Sequence, residues 1–102
     1  MSGAFESYLD PAREVRMDVR WRTQRRDVVD YAVTLTAMDR GRRHTIRVYD
    51  GADGVNELHR YTRSGGKQAG TIFHAGTLSE GLVAAQLEVK RGWAEMIEGW
   101  RR

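Results

Sequence analysis

The chain has 102 residues, of which 40% are hydrophobic, 30% charged and 9% aromatic, with one proline and no cysteine. That composition suits one globular domain and excludes a disulfide scaffold, thiolate chemistry, a cysteine-held metal or cluster, and a low-complexity chain. The net charge is +3; no apolar run is long enough to cross a bilayer, and Met1–Glu6 lacks a basic stretch followed by an apolar one, so a cytoplasmic protein with no membrane association is expected.

Residues 1–12 carry few periodic apolar positions and run into Pro11, which reads as a flexible leader ahead of a single domain over 13–102. Residues 13–23 alternate, with Val15, Met17, Val19 and Trp21 on one side and Arg16, Asp18, Arg20 and Arg22 on the other. Successive strand side chains point to opposite faces, so this is a strand with one buried and one charged face. Residues 28–37 repeat the pattern with Val29, Tyr31, Val33 and Leu35 on one face, after a short polar turn at Gln24–Asp27. Gly41 marks a second turn, and a third strand over 43–49 sets His44, Ile46 and Val48 against Thr45, Arg47 and Tyr49.

Two Asp-Gly pairs follow at Asp50–Gly54. A fourth strand near 55–62 has no cleanly apolar face, which suits an edge or a site-lining strand. Ser64–Gly70 is rich in glycine and reads as a mobile loop, and Thr71–His74 as a short strand or an apolar anchor. Thr77 and Glu80 have capping-box spacing. Beyond them Leu78, Leu82, Ala85, Val89, Trp93, Met96 and Trp100 form one helical stripe, widened by Val83, Leu87, Ala94 and Ile97. The expected architecture is therefore α+β and two-layered: a four-stranded antiparallel meander with one long C-terminal helix packed on one face.

Basic charge is concentrated early: residues 11–26 hold six arginines against Glu14 and Asp18, whereas residues 77–102 are balanced. All the basic residues except Lys67 and Lys90 are arginine. Guanidinium grips phosphate through a flat two-pronged face, though a GC-rich genome also favours arginine codons. With the helix on the apolar face, the uncovered face is expected to show Arg16, Arg20, Arg22, Arg47, Tyr49 and Arg60, with Arg63 close by. Such a surface suits RNA or single-stranded DNA; the plainer reading is a solvated sheet face. His59, with Tyr61 and Lys67, is the candidate for acid–base chemistry on a phosphodiester, against a plainer reading as an ordinary sheet histidine. His44, His59 and His74 do not have a metal-ligand spacing, and Gly65-Gly66-Lys67 lacks the phosphate-loop pattern, so neither a metal nor another cofactor is expected. Trp93 and Trp100 read as core or dimer contacts, and a small-molecule pocket near His44 and Tyr31 is a further, weaker reading.

The stretch Val48-Tyr49-Asp50-Gly51-Ala52-Asp53-Gly54, followed by His59-Arg60, resembles a group of small prokaryotic proteins with a Tyr-Asp-x-Ala-His-Gly-like turn and a His-bearing strand. Some of these are suspected toxin–antitoxin components. The likeness covers about residues 28–62; Tyr49, Asp50, Gly54 and His59 match, and Asp53 stands where the group tends to have histidine. It implies a small accessory domain and no particular reaction. Together these readings lead to an RNA-binding domain, with a toxin-like ribonuclease as its extension. The alternative is a non-enzymatic homodimeric or protein-binding module that uses the C-terminal helix.

Overall fold

The computed structural model describes residues 1–102. Its strands are β1 (Ser2–Tyr8), β2 (Val15–Gln24), β3 (Asp27–Asp39), β4 (Arg42–Asp50), β5 (Asn56–Arg60) and β6 (Thr71–His74). They form one antiparallel sheet in chain order, and α1 (Leu78–Arg101) lies across one face. The α+β class and the terminal helix are as expected, but the sheet has six strands rather than four. Residues 2–8 are not a leader: they pair with β2 from Ser2↔Arg22 to Tyr8↔Arg16, and the ring of Trp21 lies so close over Gly3 that a Cβ there would collide with it.

The two hairpin turns at the ends of β3 are tight. Arg25 and Arg26 have φ of 51° and 71°, and Arg40 and Gly41 have 52° and 76°. Two-residue turns with positive φ match the right-handed twist of the strands they join. The alternation of β2 and β3 then puts Val15, Met17, Val19, Tyr31, Val33, Leu35 and Ala37 under the helix, against Ala85, Val89, Ile97 and Trp100. Each of the valine, leucine, isoleucine and methionine side chains among them stabilises the fold by roughly 1.5–3 kcal/mol relative to exposure. Thr77 opens the helix as expected: its hydroxyl accepts from the Glu80 amide at 3.1 Å, and its own amide donates to Glu80 Oε1 at 2.9 Å.

A buried polar knot joins the helix start to the sheet. Tyr31 donates its hydroxyl hydrogen to Asn56 Oδ1 at 2.7 Å, and Asn56 Nδ2 reaches the carbonyls of His74, Gly76 and Thr77. Gly81 of the helix sits on Asn56, with no room for a Cβ. Burial, with Asp50 adding to it, drives the Tyr31 phenol far above its ordinary value. Tyr31 is thus fully enclosed and its hydroxyl is bonded. No helix is long and apolar enough to cross a membrane.

Candidate anion-binding groove

The expected arginine face is divided between the two sides of the sheet. A bulge in β4 is the cause. Leu35 pairs with Arg47 and Thr36 with Thr45, leaving Ile46 as an extra residue that reverses the alternation beyond it. Arg47 and Tyr49 therefore lie on the helix side, and the cross-strand pair Arg47↔Arg60 brings Arg60 there too. Tyr49 is fully buried against Phe73, at 4.9 Å between ring centroids, and is not a surface residue. Its hydroxyl has no hydrogen-bond partner, and burial pushes its pKa up to about 12, with Glu88 adding to the rise and Arg47 opposing it.

On the uncovered face, the arginines have carboxylate neighbours. Arg16 Nε lies 2.9 Å from Asp18 and 3.7 Å from Glu6, and Arg20 lies 3.2 Å from Asp30. Acidic neighbours, Asp18 first, raise the pKa of Arg16 further. Arg22, at the end of β2, is exposed and unpaired, as are Arg25 and Arg26 in the turn that follows, but no groove gathers these three. With Asp50 and Glu57 also on this side, the open face is a mixed-charge surface and not a cationic one.

The cationic surface is at the other end of the molecule, where the last turns of α1 meet β4, β5 and the loop after β5. A groove of about 410 Å³ is lined by Arg47, Arg60, Arg63 and Arg102, with Glu95 as its one acid and Ile46, Tyr61, Met96 and Trp100 as its apolar and aromatic members. A second cleft of about 460 Å³ adjoins it through Arg63 and is lined by Arg40, Arg42, His44, Asp39 and Ser64. Arg40, Arg42, Arg47, Arg60 and Arg102 make no ion pair. Arg63 is the built element between them. It donates to Asp39 Oδ2 at 3.2 Å and to the Arg101 carbonyl at 3.1 Å, and lies 5.8 Å from the Trp100 ring. The helix C-terminus carries partial negative charge, which Arg101 and Arg102 offset.

The proposed catalytic trio is not assembled as a free acid–base centre. His59 lies on the open face, across β5 from Arg60. Its Nδ1 is 3.2 Å from the Gln68 carbonyl and its Nε2 is 3.6 Å from Asp50, so both ring nitrogens already face a protein acceptor. Tyr61 and Lys67 face each other in an isolated bridge that closes the glycine-rich segment into a hairpin. The amides of Gly65 and Gly66 in that hairpin donate to Thr62, at 2.9 Å each, rather than pointing at a vacant anion site. His44 lies tilted against Trp100 at 5.2 Å between ring centroids, and His74 lies at the far side of the sheet beside Phe73. No group of three or more His, Cys, Asp or Glu side chains gathers with the spacing of a metal site. Arg40, Arg42 and Arg102, which sequence reasoning did not single out, complete the cationic strip. Their only signal was chain position, at a turn and a terminus that the fold brings together. No protein-family model, curated protein or solved structure matches this chain.

Proposed function

We propose that the protein binds single-stranded RNA or DNA through its phosphates, along the groove and cleft at the C-terminal end of the helix rather than across the open sheet face. The observation that carries this reading is the group of four guanidinium groups around one groove, three of which (Arg47, Arg60 and Arg102) make no ion pair, with Glu95 as the one acidic residue in the lining. Guanidinium without an internal partner is available for bidentate phosphate contact, and a row of such groups matches a charged backbone. Trp100 is only 7% exposed, so no indole platform is offered to bases and the phosphate contacts carry the binding. The bond from one ring nitrogen of His59 to the Gln68 carbonyl favours a strut over a ribonuclease centre.

Fluorescence anisotropy with a labelled single strand tests this. Affinity is expected to fall steeply with salt, with a slope of about 0.7 in log–log form for each phosphate contact. Arg47→Ala with Arg60→Ala should lower both affinity and slope, Glu95→Gln should raise affinity, and Arg16→Ala with Arg20→Ala should leave binding within about twofold of wild type. Salt-independent binding, or equal loss from the two arginine pairs, would remove the groove from the account. The helix-faced dimer has less support: of the large apolar residues of α1 only Val83 and Leu87 are exposed, and the cleft that Leu87 lines with Ala84 and Met96 also carries Glu88 and Arg91.

A further inference from the structure

One edge of the sheet is unprotected. β6, at one end, is only four residues long, whereas β1 at the other runs seven residues without a bulge. Edge strands are ordinarily shielded by lysine, proline, bulges or shortness, because their free N–H and C=O groups template a further strand. β1 reads Ser-Gly-Ala-Phe-Glu-Ser-Tyr: it has no proline and no basic residue, and Glu6 is its one charge. Its hydrogen bonds to β2 come from the odd positions. Met1 and Thr23 exchange bonds, and the Leu9 amide donates to the Val15 carbonyl. The alternation of an antiparallel ladder then leaves Ser2, Ala4, Glu6 and Tyr8 with both backbone groups directed outward.

Phe5 lies in the middle of that edge. It shares the helix side of the sheet with Trp21, edge-to-face at 6.0 Å, yet it is 44% exposed because the helix does not reach it.

We propose that β1 is a homodimerisation edge, and that a second copy of this chain adds its own β1 antiparallel about a two-fold axis at Phe5. The register is self-complementary. Ser2 faces Tyr8, Ala4 faces Glu6, and Phe5 faces Phe5 of the second copy in a non-hydrogen-bonded pair, the kind in which side chains approach most closely. The four outward residues of each chain then supply about eight hydrogen bonds between copies. Glu6 meets alanine and not its own counterpart, which a two-fold placed at Glu6 would force. The result is a continuous sheet through both copies, with the two arginine grooves at its outer parts and clear of the contact. This inference does not rest on nucleic-acid binding.

Sedimentation equilibrium on the whole protein tests it, together with backbone amide exchange. The mass is expected to rise with concentration from 11.7 kDa toward twice that value. Amides of Ser2, Ala4, Glu6 and Tyr8 should gain protection in parallel, while those of Phe5 and Ser7 are protected throughout. Ala4→Pro removes only an outward N–H, which an edge strand tolerates, and should give a folded monomer by circular dichroism. Phe5→Lys is the second variant and should do the same, whereas Leu87→Lys should still dimerise. A monomer at every concentration overturns the proposal. So does a dimer that survives both edge variants, or one that Leu87→Lys abolishes.

Discussion

At the residue scale, the most constrained position is Gly81. A glycine inside a helix usually costs about 1 kcal/mol relative to alanine, so three of them in α1 look like weak points. At Gly81 the sign reverses. A Cβ there would collide with Asn56 Oδ1, and Asn56 holds three carbonyls and the Tyr31 hydroxyl. Gly81→Ala is expected to destabilise the protein by about 1–3 kcal/mol through overpacking. Gly99 has nothing within 4 Å of its missing Cβ, so Gly99→Ala is expected to stabilise by up to about 1 kcal/mol. Urea midpoints of the two variants decide the point; shifts of the same sign would mean that Asn56 can move aside. The sequence shows that glycines recur in the helix, but the buried asparagine that requires one of them comes from a strand 25 positions earlier, and only the folded register brings the two together.

At the element scale, the helix was legible in full because it combines a local start signal with a long apolar stripe. Thr77 and Glu80 form the reciprocal cap that their spacing implies. The Thr77 backbone amide and then its hydroxyl hold the Glu80 carboxyl below the ordinary value of 4.5, although the side chain lies at the surface. A carboxyl depressed in the folded state contributes stability above its unfolded pKa and loses it as pH falls through the folded one. The wild type should therefore be more stable than Glu80→Gln at neutral pH, and the difference should vanish below the ordinary carboxyl range. A difference that persisted in strong acid would show that packing, not charge, accounts for the cap.

The strands were less evenly legible. β2 and β3 alternate because one face of each is buried, whereas β1 buries almost nothing and so writes no periodicity; its contact with Trp21 is made by Gly3, which has no side chain to count. The bulge at Ile46 was invisible for a different reason. His44, Ile46 and Val48 keep a two-residue rhythm, yet Val48 ends on the open face and Tyr49 in the core. One unpaired residue in β4 was enough to move Arg47, Tyr49 and Arg60 to the side opposite the one expected.

At the scale of the whole molecule, charge is sorted by position rather than by sheet face. Of the early arginines that dominate a linear reading, Arg16 and Arg20 are matched by Asp18, Glu6 and Asp30 on their own and neighbouring strands. Arg13, Arg22, Arg25 and Arg26 make no ion pair and are spread over the turns and strand end rather than around one groove. Among the later ones Arg40, Arg42, Arg47, Arg60, Arg63 and Arg102 converge, because the β3–β4 turn, the loop after β5 and the last helical turn meet at Asp39. Arg63 and Arg101 both pair with that carboxylate, at 3.2 and 3.7 Å. Asp39 thus acts as the hub that holds three distant segments in register, and the unpaired guanidiniums stand around it. The most direct measurement is a chemical-shift titration of the guanidinium and backbone amide signals with a short single-stranded RNA at low salt. The account predicts that shifts gather on Arg40, Arg42, Arg47, Arg60, Arg63 and Arg102 and leave Arg16, Arg20 and Arg22 in place. Shifts concentrated on the latter three, or no shifts at all, would contradict it.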